Sequence, residues 1–545
     1  VDSYSNLSIM ESGLKIAIER KMSVPMDARK SNVRVVIVGL LLGLFMAALD
    51  QTIVSTAMPK VIENLGGLDK FIWVYSAYMI AMVVSTPIFG KLSDMYGRKR
   101  FFLAGLLLFM AGSMLCGTAQ NMDQLIVYRA LQGIGGGSLM PIVFTIIFDI
   151  FPPEKRGKMT GLFGAVFGMS SVFGPILGAS ITDNISWRWI FYINVPIGIV
   201  SFLLVWRAYH ESKNHSKQTI DWGGAAVLTA AILCLMFGLE LGGTDGWAWS
   251  SWKIVSLFAG SAVLLIAFLL VERKAREPIV PLHLFKERLF TSSQLISLLY
   301  GAAMIAGASY IPLFIQGVFH ESATQTSTVL TPMMLGVVAS SMTGGFIVRK
   351  FAYRNIMLVS ALVLTAGLAL LGFAMDTSTS RGMITLYMIV VGLGMGVSFS
   401  VLNMSTLTNI PPQYKGSATS LVAFFRTIGS ALGVTVFGAM QKHDFLSEAG
   451  ALVGGNAKML AQIRSGQALL DPKMQAALGI PANVLQKLLD ALADSIIYVF
   501  QWAVVLPVVA LVFAMLMGRA RLAPVPRTGG NGGPNKESEP SFHAG

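Results

Sequence analysis

Fourteen apolar runs punctuate the chain: 35–58, 71–90, 101–118, 124–148, 158–182, 189–206, 223–243, 252–271, 290–317, 324–347, 355–375, 382–407, 417–440 and 495–518. A helix needs about 20 apolar residues to cross a bilayer, and most of these runs are long enough. Most are also apolar on every side rather than along one stripe, the pattern of helices that face lipid or one another. They predict an all-α polytopic membrane protein with fourteen spanning helices. Residues 1–34 and 519–545 read as tails, the second rich in Pro, Gly and Ser. Segment 441–494 is too polar to span. Its apolar pairs Val484-Leu485 and Leu488-Leu489 predict short amphipathic helices over one mouth of the protein.

Composition narrows the class further. Apolar residues make up 54% of the chain and charged ones only 13%, against about 25% charged in ordinary soluble proteins; a soluble multidomain enzyme is excluded. The net charge of +13 points to basic loops on one side of a membrane, not to nucleic acid. With the N-terminus placed inside, the inward loops and tails hold 29 Lys and Arg, and the short outward loops hold five: Lys60, Lys70, Arg188, Lys253 and Arg381. Both termini are therefore expected in the cytoplasm, with the chain in the plasma membrane. All nine Trp residues fall at or near predicted helix ends, as interfacial anchors do. No cleavable leader is visible in the first 33 residues, and Cys116 and Cys234 lie inside apolar runs, which gives no disulfide framework. No metal cluster, nucleophile–base pair or Gly-Lys-Ser/Thr phosphate loop stands out. No cofactor is expected, and the energy source is an ion gradient or passive flow, not ATP.

The chain also repeats itself. Shifted by 259 residues, 124–178 falls on 383–437 without a gap: Gly133, Gly135 and Gly137 meet Gly392, Gly394 and Gly396, Pro152-Pro153 meets Pro411-Pro412, and Gly174 meets Gly433. A six-helix half has been duplicated, with the seventh and eighth runs inserted between the copies. Glycines shared by both halves mark close helix approach. Polar residues present in one half need another reason. Arg129 maps onto Met388 and Asp149 onto Thr408.

Several motifs stand in order along the first half. Between runs 2 and 3 the chain reads Gly90-Lys-Leu-Ser-Asp94-Met-Tyr-Gly97-Arg98-Lys99-Arg100; run 4 contains Arg129-Ala-Leu-Gln132-Gly133; run 5 carries Gly161, Ser170, Gly174-Pro175 and Gly178. Run 1 holds Asp50-Gln51-Thr52, and Trp187-Arg188-Trp189 leads to Asn194-Val-Pro196. Together they resemble the major facilitator superfamily, and within it the fourteen-helix drug:proton antiporters, from about residue 35 to 518. Ser170 and Ala179 stand where that helix-5 motif usually has Gly, and Ser55 where helix 1 often has Asn; all three are small. The resemblance implies two pseudo-symmetric six-helix bundles, 35–206 and 290–518, with 207–289 carrying the two inserted helices. It also implies a role for Arg129 in proton exchange.

Physical chemistry selects further candidates. Asp50 is the only carboxylate well inside a predicted span, and placing one there costs about 2.5–3.5 kcal/mol on insertion scales. Burial makes any carboxylate hold a proton more readily, which suits a coupling group; the alternative is a satisfied helix–helix hydrogen bond. Asp94, flanked by Gly90 and Gly97, can cap a neighbouring helix, which the resemblance implies is the eleventh, starting near Asn355. Arg98 can pair with Asp149, making a latch that shuts one side; the alternative is topology alone. Glu240 sits near a helix end and reads as interfacial, and Arg426 as snorkelling to the cytoplasm. Phe45, Tyr78, Tyr310, Phe314, Phe399 and Asn403 are candidates for a cavity wall. The resemblance implies proton-driven export of amphipathic, often cationic, drugs, with protons, drugs and lipids as partners. A dedicated exporter of one metabolite, lipid or tetracycline-like compound is the alternative, and a non-transporting sensor or lipid-flipping scaffold the remoter one.

Overall fold

A computed structural model describes residues 32–66, 70–151, 153–211, 221–242, 247–275, 277–319, 323–452 and 481–521. Among these residues the regular elements are helical, and fourteen helices are long and apolar enough to cross a membrane. They are α1 (Val33–Leu65), α2 (Phe71–Tyr96), α3 (Arg98–Thr118), α4 (Met122–Ile150), α5 (Pro153–Asn184), α6 (Trp189–Ala208) and α7 (Trp222–Leu241). The second part holds α8 (Trp252–Lys274), α9 (Arg288–Phe319), α10 (Ala323–Ile347), α11 (Tyr353–Ala374), α12 (Arg381–Thr406), α13 (Lys415–Leu452) and α14 (Val484–Leu516). Four of these spans are irregular. α6 breaks at Ile193, α9 widens into a π turn at Ala306–Tyr310, α11 ends in a π turn at Leu370–Ala374, and α14 breaks at Val504.

The fold is two pseudo-symmetric six-helix bundles, α1–α6 and α9–α14, and their small residues set the packing. Gly133 of α4 lies on the backbone of Tyr78 in α2, and its repeat partner Gly392 of α12 lies on the backbone of Met333 in α10. Gly112 of α3 packs on Gln132, and Gly367 of α11 packs on Val391. Repeated contacts of this kind fix the same helix arrangement twice, because close backbone approach is a principal source of helix association in lipid. α7 rests against α2 and α13, and α8 packs chiefly on α7, where Ser261 Oγ donates to the carbonyl of Ala231 at 2.9 Å. The bundles meet at the end that carries the basic loops, through Gly90 on Ser420, Gly164 on Ser341 and a 2.7 Å hydroxyl pair, Thr145–Thr419.

Some boundaries differ from the sequence pattern. α13 runs on to Leu452, and the first helix of α14 starts at Ala482, so the described flanks of 441–494 are extensions of spanning helices and not separate short ones. Phe445, Ala449, Leu488 and Leu489 are buried along these extensions, and Gln441 Nε2 donates to Ser495 Oγ at 3.0 Å. A two-helix apolar seam therefore continues past the bilayer. Residues 453–480, and most of both tails (1–31 and 522–545), lie outside the described residues. Trp187 is buried against Phe191 instead of anchoring an interface.

α2 and α3 are joined by Gly97 alone, which takes φ +107° and ψ 136°. Side chains rarely adopt that region, at a cost of roughly 1–3 kcal/mol. Gly97→Val should therefore lower the thermal unfolding midpoint in detergent by several degrees. An unchanged midpoint would mean that the turn can be made another way.

Candidate functional site

Asp50, on α1, is fully buried and surrounded by donors. Arg129 Nη1 of α4 lies 2.6 Å from its Oδ2, and Gln132 Nε2 and Asn194 Nδ2 donate to its Oδ1 at 2.8 and 3.1 Å. The guanidinium is itself spent: Nη1 also donates to Gln132 Oε1 at 2.8 Å and Nε to the carbonyl of Val74 at 3.3 Å. Its face lies 4.2 Å from the ring centroid of Tyr78. Asn194 sits where α6 resumes after its break, and it also donates to Ser113 Oγ at 3.0 Å. Five helices, α1, α2, α3, α4 and α6, thus converge on one ion pair. The pair joins two candidates that the sequence offered separately. Gln132 and Asn194 received no role there. The available signal was that Gln132 stands one helical turn from Arg129 and that its repeat partner is Val391.

The α5 motif packs beside this centre. A Cβ at Gly174 or Gly178 would run into the hydroxyls of Thr52 and Thr56 on α1, and Thr52 Oγ1 donates to the carbonyl of Ser170 at 2.9 Å. Ser170 turns its own hydroxyl back on the carbonyl of Val166 at 2.9 Å, so it occupies its place without opening the contact. Pro175 lies inside α5, and Gly161, nearer its start, faces Met342 of α10.

At the basic end Asp94 is buried and accepts from the backbone N–H groups of Gly416 and Ser417 at 2.8 and 2.9 Å. These are free donors of the first turn of α13, where the helix dipole favours an anion. The capped helix is therefore α13 and not the eleventh. α13 is the repeat partner of α5, and its short helical lead-in Pro412–Tyr414 brings it against α2. Arg98 bridges Asp94 at 3.3 Å and pairs with Asp149, which Lys415 also approaches at 3.5 Å. Glu211 accepts from the backbone N–H groups of Arg98 and Lys99 at 2.6 and 3.2 Å, capping α3 in turn. Gly90 sits directly beneath, against Gly416 and Ser420.

Between the bundles lies a cavity of about 220 Å³. Seven of its lining residues are methionines, and Tyr78, Phe167, Phe399, Gln51 and Arg426 complete much of the wall. At the 259-residue offset its two sides correspond: Gly136 with Met395, Met140 with Phe399, Phe167 with Arg426, and Ser171 with Ser430. Tyr78 and Phe399 line it, while four other candidates do not. α9 contributes Met304 and Ile305, ahead of its π turn, whereas Tyr310, at the end of that turn, and Phe314, after it, are buried in helix packing. Phe45 is half-buried against α5, and Asn403 spends its amide on the carbonyl of Phe399 at 2.9 Å. Arg426 does not snorkel; it is buried at the cavity wall. Glu240 is half-buried near the end of α7, against Ser76 of α2. Among the described residues no group of three metal-ligating side chains occurs.

Comparison with known proteins follows the same lines. The sequence profile of the Major Facilitator Superfamily matches residues 40–434. "Multidrug resistance protein 3" of Bacillus subtilis is 49% identical over 499 residues, which cover 91% of this chain and 97% of that protein. "Multidrug transporter protein MdtP" of the same bacterium is 38% identical over 419 residues, 77% of each chain. Among solved structures, the human organic anion transporter MFSD10 aligns with a TM-score of 0.56 at 15% identity, covering 88% of this chain and 100% of that one, a likeness of fold alone.

Breaking a buried ion pair from one side costs about 3–5 kcal/mol, because the abandoned charge stays buried. Arg129→Met should therefore lower the yield of folded protein and its unfolding midpoint well below those of the double variant Asp50→Leu/Arg129→Met, measured by size-exclusion and thermal unfolding in detergent. Equal losses in the single and double variants would mean that the two residues do not act as a pair.

Proposed function

The chain belongs to the Major Facilitator Superfamily, and on that premise we propose that it exports amphipathic drugs, cationic ones among them, from the cytoplasm in exchange for protons. The observation that carries this reading is the position of Tyr78. One face of its ring covers Arg129, partner of Asp50, and the residue also lines the central cavity. A proton site and a drug site are thereby separated by one side chain.

The coupling follows from electrostatics. A proton taken up by Asp50 neutralises the carboxylate and leaves Arg129 as an uncompensated buried cation, a state costly in a low-dielectric interior. The bundle relieves that cost by moving Arg129 toward new partners or water, and the helices that hold it move too. Release of the proton restores the ion pair. Each net charge carried down the membrane potential supplies about 2.3 kcal/mol per 100 mV, enough to raise drug outside over drug inside by more than tenfold at 100 mV.

The moving units are 35–206 and 290–518, with the inserted helices of 207–289 riding outside them. The basic end is the cytoplasmic one, which puts both termini in the cytoplasm and the protein in the plasma membrane, by the distribution of Lys and Arg. In this arrangement the Asp94–α13 cap and the Arg98–Asp149 pair hold the cytoplasmic side shut and release in the opposite state. Seven flexible thioethers in the cavity wall favour a broad drug range over a single metabolite, since methionine repacks around differing shapes.

In proteoliposomes matched for folded protein, Asp50→Asn should abolish ethidium accumulation driven by a pH gradient while the folded fraction keeps its drug affinity. Accumulation at the wild-type rate would remove Asp50 from the coupling step. For the latch, Asp94→Asn gives up charge-assisted bonds to α13 worth about 1.5–3 kcal/mol. That shifts the balance of the two states by about tenfold or more. Transport should fall accordingly while drug affinity in detergent stays near wild type; a matching loss of affinity would place Asp94 in the binding step.

A further inference from the structure

Other buried or half-buried basic groups of the two bundles are met by carboxylates or by backbone carbonyls, as Arg188 is by those of Gly117 and Ala119. Arg129 holds Asp50, Arg98 holds Asp94 and Asp149, Lys91 holds Glu277 at 2.8 Å, and Lys415 approaches Asp149. Arg426 is different. It is 8% exposed and well inside α13, and its Nε, Nη1 and Nη2 have no hydrogen-bond partner among the described residues. Its guanidinium lies 4.1 Å from the centroid of the Phe399 ring, and both side chains line the central cavity.

Packing alone gives no reason for a cation there. The repeat puts Phe167 at the same place on the opposite wall. Architecture therefore asks only for a large side chain at this position, and the charge is the addition of one half. The Phe399 face offsets part of the desolvation of a guanidinium, but a ring satisfies none of its N–H donors. No carboxylate lines the cavity among the described residues. Asp50, next in the chain to the lining residue Gln51, already accepts from Arg129, Gln132 and Asn194. The cavity thus presents an apolar, thioether-rich wall with one planar fork of unsatisfied donors.

We propose that Arg426 is the receptor for an anionic head group, so that this cavity prefers amphipathic compounds carrying a carboxylate or sulfonate, zwitterions included, over their uncharged counterparts. Guanidinium pairs such oxyanions through two parallel N–H···O bonds, while the aromatic and methionine walls take the apolar body. The inference rests on the export reading and names a substrate class for it.

The test uses two probes that share a skeleton and differ by one charge: 1-anilinonaphthalene-8-sulfonate and the uncharged N-phenyl-1-naphthylamine. Binding to the full chain in lipid nanodiscs is read by fluorescence, with empty nanodiscs subtracted. The wild type should bind the sulfonate about ten- to a hundredfold more tightly than the neutral probe, the span expected for charge-assisted hydrogen bonds. Arg426→Met should abolish that preference by weakening the sulfonate alone, and Arg426→Lys should keep part of it. Should Arg426→Met not fold, the wild-type comparison decides by itself. Equal affinity of the two probes for the wild type, or an undiminished preference in Arg426→Met, overturns the proposal. Proton-driven export of ethidium and of the sulfonate by wild-type proteoliposomes, both measured in parallel, reports on the export reading separately. Export without a sulfonate preference sinks only the anion receptor; no export at all sinks the broader reading.

Discussion

The Asp50–Arg129 ion pair is the constraint around which the first bundle is arranged. Two opposite charges in the middle of an apolar helix bundle are tolerable only when each satisfies the other and the leftover lone pairs and protons are also met. That requirement draws in Gln132, Asn194, Ser113 and the carbonyl of Val74. The glycines nearby make that geometry reachable. Gly133 and Gly112 let α2, α3 and α4 come close enough for short polar side chains to reach, and Gly174 and Gly178 bring α5 onto the α1 segment that follows Asp50.

The second bundle shows what the same scaffold looks like without that pair. Its glycines at 392, 394 and 396 make the corresponding contacts, while the places of Arg129 and Gln132 are taken by Met388 and Val391, both fully buried. Packing and charge are therefore separable. Duplication supplied the helix arrangement twice, and polar chemistry was added to each copy at different points: a closed ion pair in α1 and α4, an open guanidinium in α13. The cavity lies between the two additions, and Tyr78 and Phe399 each set an aromatic face against one of the cations.

The basic end shows a third use of charge. Asp94 reaches across from one bundle to the first turn of α13 in the other, and the bonds it accepts are to backbone groups that the helix itself leaves free. An interface of this kind is strong when aligned and lost when the helix slides, since its geometry depends on two converging N–H groups. Arg98, Asp149 and Lys415 surround it at the joint between α2, α3, α4 and α13. Gly97 alone links α2 to α3 beside this cap.

Much of this was legible in the residues alone. Fourteen apolar runs, their basic loops, the 259-residue repeat and the isolation of Asp50 and Arg129 in apolar surroundings are all properties of one helix or of one comparison along the chain. What the sequence did not determine is which way each helix faces. In a soluble protein the apolar stripe fixes that rotation, but these runs are apolar nearly all round, so periodicity carries little information about it. Rotation is instead decided when glycines let backbones meet and buried polar groups find partners on other helices. Only the tertiary structure could therefore join Asp50 to Arg129 across 79 residues, bring in Asn194 from α6, and send Asp94 to α13 instead of α11. For the same reason it turned Arg426 toward the cavity rather than the membrane surface, and left Tyr310 and Phe314 outside the wall they were expected to form.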